Sequence, residues 1–259
     1  MKTHASFGIA MMVVVLALAI GFGLTQASSK QGETTSVQAN TRWFKDYVDQ
    51  TGDIGAHPSI TFNPNGIPWI SYYDVTSTAL KVAHYVGSGG DCGPDNSWAC
   101  DTVDNAASVG TFSSIDFHPN TAPWLSHAWR VGVAYYDATN GALKFAEYSC
   151  FLTCAWNIVT IQDATGMFAP IYGQYASMKY NTDGDSLIAY YVSTIGDDRL
   201  EYAYQVTSGG DCGEGSAAGL WECDTVDSGN NVGKYASLDY TDFAGVNIAY
   251  YDSSAGNLK

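Results

Sequence analysis

The chain has 259 residues, 46% of them hydrophobic and 14% charged, which is enough apolar material for a packed core and argues against global disorder. With 11 Lys and Arg against 26 Asp and Glu, the formal charge is -15, a balance that repels phosphate backbones and excludes nucleic acid as an expected partner. The 27 Gly and 18 Tyr favour strands and turns over helices.

In chain order, the first feature is an export signal. Met1-Lys2-Thr3-His4 is short and basic, residues 7–24 are an unbroken run of apolar residues and glycine, and Thr25-Gln26-Ala27 offers small residues to a signal peptidase. Residues 1–27 therefore read as a signal peptide. The run of 18 residues also reaches the lower limit of a membrane span, so an uncleaved anchor is the alternative and the one expected route to a membrane. Residues 28–42 form a polar linker, and no cysteine lies near the cleavage site for a lipid anchor.

From residue 43 the chain repeats itself. Trp43, Trp98, Trp156 and Trp221 open successive units at periods of 55, 58 and 65. Trp98-Ala99-Cys100-Asp101-Thr102-Val103-Asp104 recurs as Trp221-Glu222-Cys223-Asp224-Thr225-Val226-Asp227. Tyr72-Tyr73-Asp74 recurs at Tyr135-Tyr136-Asp137 and Tyr250-Tyr251-Asp252, with Tyr190-Tyr191-Val192 as a degenerate copy. Leu80-Lys81 returns as Leu143-Lys144, Leu200-Glu201 and Leu258-Lys259. Within the first unit, residues 43–48, 59–62, 69–73 and 80–85 read as strands, with Asn65-Gly66 as a hairpin signal; Asn140-Gly141 marks a hairpin in the second.

Four short antiparallel strands per unit predict an all-β fold, a β-propeller of four-stranded blades spanning 43–259. The small-residue segments starting at Ser59, Ser114, Ala176 and Ala236 suit the crowded innermost strand, and the Trp strand lies outermost. On this phasing residues 43–48 could complete the last blade and close a ring of four; part of a larger propeller is the alternative. The six cysteines fall in three local pairs between the third and fourth strands, Cys92 with Cys100, Cys150 with Cys154 and Cys212 with Cys223. Cross-strand staples are expected in preference to metal sites, because no His accompanies the pairs and no Cys-x-x-Cys occurs.

The pattern resembles the repeat units of secreted microbial β-propeller proteins, in the neighbourhood of sialidase-like, NHL-like and propeller-lectin folds. The likeness is architectural. The sialidase box Ser-x-Asp-x-Gly-x-x-Trp is absent, which argues against sialidase activity.

Two sets of residues are candidate sites. Asp74, Asp137 and Asp252 are expected on one face together with Asp49, Asp104 and Asp227, where carboxylates could hold calcium as a cofactor or a cationic ligand. The competing role, starting a turn by accepting backbone N–H groups, fits residues that recur in nearly every unit. The second unit departs from the repeat at 126–132, which gathers His127, Trp129 and Arg130; stacking on Trp129 with a clamp from Arg130 would suit a sugar or a partner's side chain. An apolar bulge at 167–173 could be an interface or cap, and Asn181-Thr182-Asp183-Gly184-Asp185 lacks the distal Glu of a calcium loop and reads as a hairpin turn. Hydrolase, metalloprotease and phosphate-loop signatures are missing. The sequence favours an extracellular, non-enzymatic module binding carbohydrate or protein, with a secreted propeller glycoside hydrolase as the alternative.

Overall fold

The computed structural model describes residues 45–119, 130–150, 153–166, 168–229 and 231–259. Strands account for nearly all regular structure, with two single 3-10 turns at Pro94–Asn96 and Gly215–Ala217. Four antiparallel sheets follow one another as the blades of a β-propeller. The first blade is β1 (Ile54–Phe62), β2 (Pro68–Asp74), β3 (Ala79–Tyr85) and β4 (Trp98–Asp104). The second is β5 (Val109–Phe117), β6 (Arg130–Asp137), β7 (Ala142–Cys150) and β8 (Cys154–Gln162). The third is β9 (Ile171–Tyr180), β10 (Ser186–Ser193), β11 (Arg199–Gln205) and β12 (Trp221–Asp227). The fourth is β13 (Val232–Thr241), β14 (Gly245–Asp252) and β15 (Asn257–Leu258). Each sheet keeps its strands in sequence order, and the first strands β1, β5, β9 and β13 pack successively against one another.

The core lies between blades, because a single sheet cannot cover its own faces. Trp69, Leu80 and Val82 of the first blade pack on Ile115, Phe117, Val131, Val133 and Tyr135 of the second. Phe145 and Leu143 of the second meet Met178, Tyr180, Ile188 and Tyr190 of the third, with Trp221 closing the cluster. Period-two alternation in the second strand points one tyrosine of each Tyr-Tyr pair backwards across a boundary. Its hydroxyl donates to an acid at the end of the preceding outer strand: Tyr135 to Asp104 at 2.7 Å and Tyr250 to Asp227 at 2.6 Å. Lys144 and Lys259 bind the same two carboxylates. The third blade inverts the charges, with the Tyr190 hydroxyl between Gln162 and Glu201, and Arg199 Nε on Glu201 at 2.6 Å.

Three disulfides staple the hairpins as expected, Cys92–Cys100, Cys150–Cys154 and Cys212–Cys223, each within one blade. The hairpin signals also lie in turns: Gly66 and Gly141 adopt φ of 75° and 65°, the left-handed region that favours glycine. Asn181 Oδ1 accepts the Asp185 N–H at 2.8 Å in the turn between β9 and β10, so that segment is a hairpin.

Two expectations need correction. Residues 45–50 form no strand and do not extend the fourth sheet, which has three strands among the described residues; 43 and 44 lie outside them. Asp49 instead takes the hydroxyl of Tyr72 at 2.9 Å and the ammonium of Lys81, the role Asp104 plays toward the second blade. The innermost strands are longer than read, and their equivalent serines are Ser59, Ser114, Ser177 and Ser237, opposite Ser71, Ala134, Ala189 and Ala249. The one-residue offset arises at bulges, where alternation breaks.

Candidate functional site

Each innermost strand carries the same five-residue pattern: Gly55-Ala56-His57-Pro58-Ser59, Gly110-Thr111-Phe112-Ser113-Ser114, Gly173-Gln174-Tyr175-Ala176-Ser177 and Gly233-Lys234-Tyr235-Ala236-Ser237. The register with the second strand slips here in every blade. At the bulge a non-glycine residue is forced into left-handed backbone: φ is 51° at His57, 55° at Phe112, 53° at Tyr175 and 57° at Tyr235. Such a conformation costs about 1–3 kcal/mol per residue and persists only where the surroundings impose it.

The four side chains form a ladder across the blades. Ring centroids of His57 and Phe112, Phe112 and Tyr175, and Tyr175 and Tyr235 are each 4.6 Å apart. With Pro58, Ser113, Ala176 and Ala236 they line a cavity of about 310 Å³. The small residues beside the rings leave the aromatic surface accessible, and Tyr235 is 67% exposed. Burial lowers the pKa of His57, favouring the neutral imidazole. Burial and the neighbouring Tyr235 hydroxyl raise the Tyr175 phenol, so it stays a donor. Ser113 anchors the floor, its hydroxyl donating to the His57 carbonyl at 2.9 Å. No carboxylate lines this cavity among the described residues.

The residues singled out from sequence take other positions. Asp74 accepts the Ser77 N–H at 3.0 Å and its hydroxyl at 2.7 Å. Asp137 accepts the N–H groups of Thr139 and Asn140, both at 3.0 Å. Asp252 accepts those of Ser254 and Ala255, also at 3.0 Å, and hydrogen bonds from the Ser254 hydroxyl, Ala255 N–H and Lys259 hold its pKa at about 2. Among the described residues these three do not converge into one ligand cluster. Asp91 and Asp211 approach cystine sulfurs, but those sulfurs are bonded to one another; the two aspartates accept the N–H of Cys100 and Cys223 at 2.8 and 2.9 Å.

His127 and Trp129 lie outside the described residues. Arg130, expected as a clamp on the inserted segment, begins β6. Its guanidinium donates to Glu147 Oε1 at 2.6 Å and lies 3.0 Å from His118 Nε2, while the Tyr180 hydroxyl reaches the same Glu147 oxygen at 3.2 Å. The insertion thus falls between His118 and Arg130, whose backbones pair at the base of the hairpin at 3.0 Å; residues 130–132 belong to the strand.

Comparison with protein-family models and with curated proteins finds no match for this chain. Its class is defined by architecture, a β-propeller stapled by disulfides. No helix among the described residues is long and apolar enough to cross a membrane.

Proposed function

We propose that the chain is an extracellular, non-enzymatic binding module whose ligand is a carbohydrate seated on the aromatic ladder of the inner strands. The observation that carries this reading is the cavity in which His57, Phe112, Tyr175 and Tyr235 stand in strained backbone with accessible rings. Aromatic surface matches the C–H face of a sugar ring, and the imidazole and phenol groups supply hydrogen bonds to its hydroxyls. Glycoside hydrolysis would call for two carboxylates flanking the scissile bond, and the lining residues supply none. Three disulfides in a chain with a leader-like N-terminus support an oxidising, extracellular setting.

The test is a glycan array run beside a hydrolysis screen on the purified protein. Tyr175→Ala and Tyr235→Ala should each weaken binding of the retained glycan by about tenfold or more, the effect of roughly 1.4 kcal/mol of lost stacking. Tyr235→Ala should leave the melting temperature nearly unchanged. Absence of any bound glycan, full affinity in both variants, or cleavage of the bound glycan would each overturn the proposal.

A further inference from the structure

The residue just before each ladder ring is Ala56, Thr111, Gln174 or Lys234. In the third and fourth blades this side chain reaches back to the second tyrosine of the preceding blade. Gln174 hydrogen-bonds to Tyr136, and Lys234 Nζ lies 5.2 Å from the ring centroid of Tyr191. Tyr191 in turn meets the ladder ring of Tyr175 edge-on at 5.9 Å. The ammonium is therefore one ring away from the ladder, at the blade boundary that Tyr175 and Tyr235 span.

Lys234 stands apart in lacking a countercharge. The chain has 26 Asp and Glu against 11 Lys and Arg. Among the described residues every lysine and arginine other than Lys45 and Lys234 has a carboxylate within ion-pair distance. Lys45 is exposed and solvated by water, whereas Lys234 is half-buried. Lys81 and Lys144 also lie over tyrosine rings, at 5.8 and 5.7 Å, but each is neutralised by a carboxylate, that of Asp49 or Asp104. Asp198 lies in the field of Lys234, yet it accepts the Tyr191 hydroxyl, the Ser193 hydroxyl at 3.2 Å and the Thr194 N–H at 2.8 Å. Attraction to one ring offsets only part of the cost of drawing an ammonium partly out of water. A half-buried cation left unpaired amid a surplus of acids, beside an aromatic platform, is suited to a negative group that arrives with a ligand.

We propose that the ligand of the ladder is an acidic carbohydrate, a sugar ring stacking on Tyr175 and Tyr235 while its carboxylate pairs with the Lys234 ammonium. This rests on the carbohydrate reading given above and narrows it to glycans that contain uronic acids. The formal charge of -15 does not oppose it, because exposed charges farther away than about 8 Å are largely screened at physiological ionic strength. The ammonium at the site then dominates. Ala56, Thr111 and Gln174 bring no charge to the same position, so the acidic unit is read at the step between Tyr175 and Tyr235 alone.

The test is an array of neutral, sulfated and uronic-acid oligosaccharides, followed by calorimetric titration with a retained uronic-acid glycan and with its methyl ester, which keeps the ring and loses the charge. The parent should bind the acid about tenfold or more tightly than the ester, as a charge-assisted hydrogen bond predicts. Lys234→Gln places there the residue type of Gln174 in the third blade, and in that variant the acid should bind no more tightly than the ester. Lys234→Arg should keep the preference. A purely structural Lys234 would lower the melting temperature of Lys234→Gln and leave the preference intact, a result that would overturn the inference. So would retention of neutral or sulfated glycans alone, or a parent that binds ester and acid equally. In those cases weaker binding by Tyr175→Ala and Tyr235→Ala would leave the carbohydrate reading standing, whereas retention of no glycan overturns both.

Discussion

Removing the charge of Asp104 tests whether the inter-blade acid, tyrosine and lysine triad stabilises the fold through burial. The Asp104 side chain is 5% exposed and that of Lys144 12%. Asparagine keeps one oxygen for the Ala106 N–H and replaces the oxygen that takes the Tyr135 hydroxyl and Lys144 by an NH2, so Asp104→Asn removes the countercharge of a nearly buried ammonium together with one acceptor. Stripping one partner from a buried pair costs about 3–5 kcal/mol. The lower end is expected here, because Lys144 retains some access to water. The fourth blade provides an internal control: Asp227 holds Tyr250 and Lys259 in the same way, but the Lys259 side chain is 45% exposed and can turn to solvent. Asp227→Asn should cost about 1 kcal/mol or less. Adding Lys144→Met to Asp104→Asn should restore part of the loss, since no orphaned charge then remains. Urea denaturation read as a shift in midpoint at constant slope measures all three. Burial alone would raise the pKa of Asp104, yet hydrogen bonds from Lys144, Ala106 and Tyr135 lower it overall. Its contribution is therefore present above the unfolded carboxylate value of about 3.9 and is lost as pH falls through the folded one. Equal costs for Asp104→Asn and Asp227→Asn would refute the burial argument, as would a double variant no more stable than Asp104→Asn.

Trp221→Ala should cost about 3–5 kcal/mol in the same assay, because the indole is 1% exposed and meets Phe145 edge-on at 5.4 Å. Trp98→Ala, at the equivalent but half-buried position, should cost visibly less; equal losses would show that burial does not set the difference. His118 is held down to about 4, first by burial and then by the Arg130 charge, against the opposing pull of Asp185 and the Gly184 backbone. A histidine depressed in the fold takes up protons in the unfolded chain first, so stability should fall by roughly 1 kcal/mol per pH unit between about 6.5 and 4. His118→Asn, which places there the residue type of Asn63 and Asn181 at the matching turns, should flatten that slope, and parallel slopes for variant and parent would count against the assignment.

The blades were legible in sequence because their signals are local. Cross-strand alternation, Asn-Gly turns and paired cysteines act within one hairpin, and the staples and turns follow from them. Failures came where locality ends. The inner-strand bulge breaks period two, so the small-residue pattern aligns Ala176 and Ala236 with Ser59 and Ser114, whereas Ser177 and Ser237 hold those positions. That offset hid the recurrence of His57, Phe112, Tyr175 and Tyr235, although the spacing from each preceding glycine and to each following serine was visible in the chain. By sequence Arg130 falls in the insertion because its neighbours match no other unit; its carbonyl, which pairs with the His118 N–H, shows where the strand resumes.

A residue that recurs in every blade is ordinarily a packing residue, and the triads and turn aspartates follow that rule. The aromatic ladder recurs as well, and its rings touch one another across the blades, but packing alone does not account for its exposure. A buried tyrosine such as Tyr190 lies in a regular strand and is fully enclosed. Tyr235 pays for left-handed backbone while remaining mostly in solvent. The buried part of the inter-blade fit is made by the glycine two residues before it and the serine two residues after it. The ring between them is free to vary, and across the four blades it does vary, from imidazole to phenyl to phenol, while staying planar and unsaturated. A surface that preserves ring shape while its edge is an imidazole, a bare phenyl and two phenols offers one stacking platform with polar groups at three of its four positions. Such a surface suits a ligand whose successive units share a shape and differ in their hydroxyls, and it is why the ladder, rather than the repeated carboxylates, is the site proposed for binding.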